Sequence, residues 1–453
     1  FTGDKRRMRT RFPWMVAILA LVAVAFLVAC STKYKSTSNG LIVVPTQGTL
    51  VMQTFNLDLS NGHVSQINNV NGPPTPGIPG AVILDPSGTF AYVIVQATST
   101  APGGVVSYKV GSDGKLAAGV AGPTLQSESP TVNAPCLTAN TVTVPVSVLP
   151  TPVVPRSLAI DSAGKYLFVA DVSTTGQTQP YSCNGSMVTA NVAVPGGISV
   201  YAVSNGALSE VPGSPFILPG QSSGNSSAGS AAALAVTPTV FPVRYAACSG
   251  NTPPTTESLY VVDSVNDVVL NYSVSPAGAL TFPTSVSPSG VATGGTPSGV
   301  AVDACGKFAY VANAASNSVS AFTICTAVSQ DCQQADNGLH AVSSSPYPTG
   351  DTPGPIAVDP FGKYVYVVDT GSSQLSAFRI SPADGSLTAI ANTPVATASG
   401  ANSLAIRSDG NWLFVANFNA ATVSEYSITP ATGQLTPQPP FATLNYPSGV
   451  AVK

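Results

Sequence analysis

Three features of the sequence predict an all-β fold built from a repeated unit. The chain has 453 residues with 41 Gly and 40 Pro, and only 8% are charged, which is a turn-rich composition. Residues 356–380, IAVDPFGKYVYVVDTGSSQLSAFRI, hold three strand-like apolar runs separated by turn-forming residues. A fourth run after the hairpin signal PADG completes a unit of four antiparallel strands, A to D. Because the unit recurs, we predict a seven-bladed β-propeller of four-stranded antiparallel blades.

The repeat can be followed from strand to strand along the chain. Six A strands with their turns read AVILDPSG, SLAIDSAG, AALAVTP, GVAVDACG, PIAVDPFG and SLAIRSDG. The B strands after them read FAYVIV, YLFVAD, LYVVD, FAYVAN, YVYVVD and WLFVAN. Each is followed by a C strand such as VSAFTI or LSAFRI. We number these units as the second to seventh blades.

The two chain ends together supply the first blade. Residues 41–44, 50–57 and 63–67 read as B, C and D strands with no A strand before them, and residues 448–452 read as an A strand with nothing after it. Joining them closes the ring and removes exposed strand edges. We therefore predict a single propeller domain over residues 40–453.

Three insertions interrupt the regular spacing of the blades. Residues 125–154 precede the third A strand, residues 173–195 lie between the third B and C strands, and residues 237–258 lie between the fourth A and B strands. In a propeller, the D–A and B–C connections share the face with the channel mouth, and the A–B and C–D connections share the other face. The first two insertions are therefore predicted at the mouth face.

The first residues resemble an export signal. The basic segment KRRMRTR precedes an apolar run that ends in Leu-Val-Ala-Cys at Cys30. We interpret residues 1–29 as a lipoprotein signal peptide, Cys30 as the lipidated residue and residues 30–39 as a polar tether; an uncleaved anchor is the alternative. The protein is then expected in a bacterial cell envelope, held to the membrane through Cys30. Ser31 after that cysteine favours the outer membrane.

Six further cysteines suggest disulfides, since an exported protein meets an oxidising compartment. The predicted faces favour these pairs: Cys136–Cys183, Cys248–Cys305 and Cys325–Cys332. The last four cysteines share one face, so their pairing has three solutions. Near-neutral net charge, −3, argues against nucleic acid as a partner. We expect a monomer.

The B-strand motifs include YVYVVD, FAYVAN and WLFVAN, and each follows a turn like DPFGK. These motifs resemble those of the lactonase-type seven-bladed propellers and the related YVTN-repeat surface propellers. The resemblance covers all seven blades. It implies the propeller fold and, as an activity, ring-opening hydrolysis of a sugar lactone of the phosphogluconolactonase type. Lactonases of this family tend to place His and Arg around the channel mouth.

Lactone hydrolysis needs a base or a metal that activates water. The two histidines, His63 and His340, begin D strands, which are the outermost strands of a blade, so we expect them at the surface. The B strands end in Asp171, Asp263, Asn313, Asp369 and Asn417. These residues form either a polar or metal-binding ring or a set of turn-formers that bond backbone amides. Their repetition favours turn formation, as it does for the A–B turn residues Asp85, Asp161, Asp303 and Asp359.

Arg156 is the residue that the repeat does not explain. Its equivalents in the other blades are small and neutral. A lone cation at the mouth could hold a carboxylate or phosphate through two parallel hydrogen bonds. It could instead pair with Glu128 or Asp171. Asp267 and Asp351, in mouth-face loops, are further candidates for the same site.

The residues therefore favour a binding function over catalysis. We predict a lipid-anchored scaffold that binds a protein, glycan or small ligand at the channel-mouth face, with Arg156, Asp171, Asp263, Asp267, Asp351 and Asp369 as candidate site residues. We expect no cofactor and no metal. Lactone hydrolysis is the alternative.

Overall fold

The computed structural model describes residues 39–67, 72–96, 103–124, 131–135, 141–145, 154–172, 174–183, 186–194, 196–218, 229–238, 256–282, 290–326 and 337–453. Residues Gly40–Lys453 form one compact unit. Its ordered elements are antiparallel strands, and the described residues contain no helix. No stretch among them forms a helix suited to span a membrane. The predicted seven-bladed β-propeller is confirmed.

The two inner strands of each blade run between the two faces of the ring. The A strands of blades one to seven are β36 (Ala451–Val452), β4 (Ile78–Leu84), β10 (Val154–Ile160), β17 (Ala231–Val236), β22 (Pro297–Val302), β27 (Pro353–Val358) and β32 (Ala401–Ile406). The B strands in the same order are β1 (Asn39–Thr46), β5 (Phe90–Gln96), β11 (Tyr166–Val172), β18 (Glu257–Asp263), β23 (Phe308–Asn313), β28 (Tyr364–Asp369) and β33 (Trp412–Asn417).

The two outer strands complete each blade. The C strands are β2 (Val51–Asp58), β6 (Gly104–Lys109), β14 (Gly197–Ser204), β19 (Val268–Val274), β24 (Ser318–Ile324), β29 (Gln374–Ile380) and β34 (Thr422–Ile428). The D strands are β3 (Val64–Gln66), β7 (Val120–Thr124), β15 (Ala207–Glu210), β20 (Leu280–Thr281), β25 (Leu339–Ala341), β30 (Leu387–Ala389) and β35 (Leu435–Ala442).

The chain ends close the ring as predicted. Strand β36 pairs with β1, with Ile42 opposite Val452 and Val43 opposite Ala451. The core between the seventh and first blades joins residues from both ends of the chain, including Ile42, Phe414 and Val450. Similar apolar clusters fill the spaces between other neighbouring blades. The fold is therefore held together by blade-to-blade burial around a closed circle.

Four blades have a fifth, short strand that the sequence analysis did not predict. These are β16 (Phe216–Ile217), β21 (Val291–Ala292), β26 (Tyr347–Pro348) and β31 (Val395–Ala396), and each pairs with the C strand beyond the D strand. In the third, fifth and sixth blades an X-Pro pair lies just before this strand, at Pro215, Pro346 and Pro394. Proline lacks the amide N–H that a ladder uses, and these prolines lie at the break of the outer strand. The outer strand β35 of the seventh blade contains prolines and is continuous, so proline alone does not cause the break.

Each of the two insertions predicted at the mouth face contains a β-hairpin among the described residues. The first contains the hairpin of β8 (Thr131–Pro135) and β9 (Thr141–Pro145), and the second contains the hairpin of β12 (Thr174–Cys183) and β13 (Ser186–Val194). The third insertion lies almost wholly outside the described residues.

Tyrosines of the repeated B-strand motif link neighbouring blades. The hydroxyl of Tyr310 donates to the carbonyl of Gly385 at 3.0 Å, and that of Tyr366 donates to Gly433 at 2.9 Å. In both cases the acceptor lies in the C–D turn of the following blade. The hydroxyl of Tyr92, at the same position of the second blade, is buried and has no hydrogen-bond partner among the described residues. The motif therefore carries both apolar burial and a specific contact between blades.

Candidate functional site

The aspartates of the A–B turns are structural. Oδ1 of Asp359 accepts hydrogen bonds from the backbone amides of Lys363 at 2.5 Å and Tyr364 at 2.6 Å, and its Oδ2 accepts from Phe361 at 3.1 Å. Burial raises the pKa of Asp359, and these amide donors oppose the shift. Asp303 makes the equivalent three bonds in the fifth blade. In both blades the aspartate side chain therefore stabilises the A–B turn.

The polar residues at the ends of the B strands are buried within the blades. Oδ2 of Asp369 accepts from Ser376 at 2.7 Å, and Oδ2 of Asp171 accepts from Ser199 at 2.9 Å. Oδ1 of Asp263 accepts from the amide of Ser230 at 2.9 Å. Burial raises the pKa of Asp171 to about 7 and that of Asp369 to about 6. None of these three aspartates belongs to the described channel wall.

Asp267 and Asp351 are exposed residues of mouth-face turns. Asp267 has a positive φ of 55°, and its Oδ1 accepts from the amide of Thr296 at 2.6 Å. Oδ1 of Asp351 accepts from Nδ2 of Asn317 at 3.3 Å. Both carboxylates thus connect B–C turns to D–A linkers. Neither has a contact with Arg156 in the described part of the chain.

The two histidines lie where the register of the repeat predicts them. His63 directly precedes β3, and His340 lies in β25 opposite Thr323. Both side chains are exposed. Neither lines the central channel, so neither is placed to act as a base there.

A central channel with a cavity of about 590 Å³ is lined by the A strands of all seven blades. Most of its wall is made of small or aliphatic side chains, such as Ile83, Leu158 and Leu404. Polar side chains are few: Ser157, Ser298, Asn402 and Ser403. In the described wall, Arg156 is the single charged residue.

A β-bulge directs residues toward this channel. The A strands of blades two to seven each show a register shift near their first residues, which is between Pro155 and Ser157 in the third blade. A bulge leaves an extra residue unpaired and turns its side chain away from the regular alternation. Arg156 is this extra residue in β10, and Asn402 is its counterpart in β32. The bulge therefore places Arg156 at the mouth end of the channel.

The guanidinium of Arg156 is exposed and has no hydrogen bond or ion pair within the described residues. Asp171, one of the two predicted partners, is bonded to Ser199 instead. Glu128, the other, lies outside the described residues. Asn402 contributes a second polar group to the same ring. Its Nδ2 donates to Pro447 O at 3.3 Å, and its buried Oδ1 has no partner in the described part of the chain. The sequence analysis did not single out Asn402.

The described part of the site has donors for an anion. Arginine carries five N–H donors in a planar fork and stays protonated. The described wall of the channel contains no carboxylate and no histidine. No group of three His, Cys, Asp or Glu suited to a metal ion occurs among the described residues.

Two of the six cysteines predicted to form disulfides have described side chains. Cys305 and Cys325 are both disulfide-bonded and buried on the A–B and C–D face. Cys183 ends β12, and Cys136, Cys248 and Cys332 lie outside the described residues, as does Cys30. The predicted pairing therefore stays a prediction.

A closed ring of seven blades around a channel lined by A strands defines the chain as a seven-bladed β-propeller. Residues 249–453 match the family described as "Lactonase, 7-bladed beta-propeller". The predicted resemblance to lactonase-type propellers is thereby confirmed.

Solved structures show the same fold along the chain. Three of them are a candidate 6-phosphogluconolactonase from Bacteroides fragilis (18% identity, TM-score 0.62), the periplasmic gluconolactonase PpgL of Pseudomonas aeruginosa (17%, 0.61) and a protein from Lactobacillus plantarum (17%, 0.60). Each comparison covers 92% of this chain and 99% of the other. No curated protein sequence matches the chain.

Proposed function

We propose that the protein binds a small anionic ligand at the mouth of its central channel, with Arg156 as the anion-binding residue. The observation that carries this proposal is the lone, unpaired guanidinium in an otherwise neutral described wall. A carboxylate or phosphate accepts two parallel hydrogen bonds from an arginine, which fixes orientation as well as charge. The ligand's acidic group would face Arg156.

The dimensions and chemistry of the channel suit a small organic molecule. A cavity of about 590 Å³ lies within the usual range for ligand pockets, roughly 300–1,000 Å³. Aliphatic residues such as Leu158 and Leu404 would contact the carbon skeleton. Ser298 and Asn402, from the fifth and seventh blades, add polar groups to the same wall. A sugar acid combines these properties.

Lactone hydrolysis is the second candidate, and the family match favours it. Its product would be a sugar acid, so both candidates need an anion-binding group at the mouth. They differ in the need for a base that activates water. The described channel wall supplies no His or carboxylate for this step, which is why we rank binding first.

Two probes, gluconolactone and gluconate, distinguish ligand binding from lactone hydrolysis. The purified protein is incubated with gluconolactone while ring opening is followed against the spontaneous rate, and binding of gluconate is measured by calorimetry. We expect gluconate binding without acceleration of ring opening. Accelerated ring opening that disappears in Arg156→Ala would establish hydrolysis and reject the pure binding function.

We further propose that the protein is exported to the cell envelope and anchored through a lipid on Cys30, with the outer membrane favoured. The signal-like residues 1–29 support this proposal.

Metabolic labelling with palmitate tests the anchor. We expect label on the full chain in a bacterial host and its loss in Cys30→Ser, with the variant released from the membrane fraction. Unlabelled wild-type protein would reject lipidation.

A further inference from the structure

A second cavity lies on the face opposite the channel mouth. It has a volume of about 510 Å³ and is enclosed by the A–B turns of the fifth and sixth blades, the end of β29 and the C–D turn of the seventh blade. Three cations line it: Lys307, Lys363 and Arg379. We call it the basic pocket.

Arg379 is held in a defined position in this pocket. Its Nη2 donates to the carbonyl of Ala431 at 3.0 Å, and its guanidinium lies 5.8 Å from the centre of the Tyr364 ring. The hydroxyl of Tyr364 in turn donates to Pro430 O at 3.2 Å. A guanidinium fixed in this way loses little conformational freedom when a ligand binds.

The charges of the pocket are not neutralised by ion pairs in the described structure. The ion pairs seen there are Lys115–Asp113 and Arg407–Asp409, and neither belongs to the pocket. The one carboxylate in the lining, Asp303, is only 3% exposed and accepts three backbone amides of its own turn. Lys363 extends over the Phe361 ring at 5.9 Å and is exposed.

The distribution of cations over the molecule points to the same face. All described lysines and arginines other than Arg156 lie in A–B or C–D turns or at adjoining strand ends: Lys109, Lys115, Lys165, Lys307, Lys363, Arg379, Arg407 and Lys453. Three of them, Lys307, Lys363 and Arg379, line the basic pocket. Lys307 belongs to the fifth blade, and Lys363 and Arg379 belong to the neighbouring sixth blade.

We propose that the basic pocket binds a phosphate group carried by a larger molecule. Two ammonium groups and a planar guanidinium complement the charge and the several acceptor oxygens of a phosphate ester. The pocket is larger than phosphate alone, and Phe308 and Phe361 give an apolar wall for the organic part. This site is separate from the channel mouth and does not depend on the function proposed there.

Calorimetry with inorganic phosphate and glycerol phosphate tests the proposal on the full chain. We expect glycerol phosphate to bind, and the double variant Lys363→Gln/Arg379→Gln to bind at least about tenfold more weakly. Lys307→Gln/Lys363→Gln, which keeps the Arg379 bond to Ala431, should also weaken binding. Thermal melting of each variant reports whether it is folded.

Lys165→Gln is the matched control. Lys165 has the equivalent turn position in the third blade, but its Nζ already donates to Pro276 O at 2.8 Å. Its replacement, like Arg156→Ala, should leave glycerol phosphate binding unchanged. Failure of both phosphate probes to bind at millimolar concentration, or equal binding by wild type and folded double variants, would overturn the proposal.

A vesicle-binding experiment distinguishes a lipid headgroup from a soluble phosphate ester as the source of the phosphate group. Sedimentation with phosphatidylglycerol vesicles that is lost in the double variant would assign the pocket to a lipid headgroup. Glycerol phosphate binding without sedimentation would assign it to a soluble phosphate ester.

Discussion

At the scale of single residues, repeated side chains maintain the frame and unrepeated ones define the candidate sites. Asp359 and Tyr366 occupy prominent positions in the repeat, yet their polar atoms are bonded to backbone groups of the fold. Arg156 has no such role in the described structure. Its position on a bulge makes it available to a ligand.

The tyrosine link between blades leads to a prediction with an internal control. Tyr366→Phe removes a buried donor and leaves the carbonyl of Gly433 without it, so we expect a loss of about 1 kcal/mol in the free energy of unfolding. Tyr92→Phe removes a buried hydroxyl that has no partner among the residues the structure describes, and it should be neutral or stabilising. Urea unfolding of both variants measures the difference. Equal destabilisation would show that the hydrogen bond is not the source.

Sequence comparison within the chain could predict which residues repeat, and hence the roles of Asp303 and Asp359. It also identified Arg156 as the unrepeated cation. It could not identify Asn402, because an Asn among small neutral residues gives little signal. The basic pocket was missed for another reason: Lys307 and Lys363 belong to the repeat, and their convergence with Arg379 depends on how blades pack.

At the scale of elements, the C strand of the seventh blade departs from its neighbours. Glu425 stands where the fifth and sixth blades have Ala321 and Ala377. It is 2% exposed, its Oε1 has no partner within the described structure, and burial raises its pKa to about 7. The folded state therefore binds a proton that the unfolded state releases at lower pH.

This pKa shift predicts how stability depends on pH. The contribution of protonated Glu425 is fully present below its unfolded pKa and is lost as pH rises through about 7. The melting temperature of the wild type should thus fall between pH 5 and pH 8 by more than that of Glu425→Gln. Asp384→Asn is the control, since the pKa of this exposed residue is lowered. Parallel curves for wild type and Glu425→Gln would contradict the assignment.

Strand periodicity predicted the A to D order of every blade, but not the bulges of the A strands or the division of the D strands. A bulge depends on the register between two strands, which one strand's sequence does not reveal. The prolines at 215, 346 and 394 lie at the division of the outer strand, but the continuous β35 contains prolines too, so proline alone does not predict the division.

At the scale of the whole molecule, stability depends on joining the two chain ends. Val450 is 3% exposed in the core between the seventh and first blades, and β36 covers the edge of β1. A chain that lacks residues 447–453 should lose at least about 2 kcal/mol through lost apolar burial and should aggregate through the exposed edge. Thermal melting and light scattering measure both effects. An unchanged melting temperature would show that this closure contributes little.

The propeller also places its two candidate sites on opposite faces. The channel mouth has the isolated Arg156, and the opposite face has the basic pocket. Ligands at these sites would approach from opposite sides of the ring. Substitution at one site should therefore leave binding at the other unchanged, which calorimetry with gluconate and glycerol phosphate can measure.

The most direct test of the account is a gluconate titration of wild type, Arg156→Lys and Arg156→Ala. If Arg156 binds the carboxylate with two parallel hydrogen bonds, affinity should fall at least about tenfold in Arg156→Ala and by an intermediate amount in Arg156→Lys, which keeps the charge but not the fork. Equal affinity in all three folded proteins would contradict a role for Arg156 as the anion-binding residue of the channel.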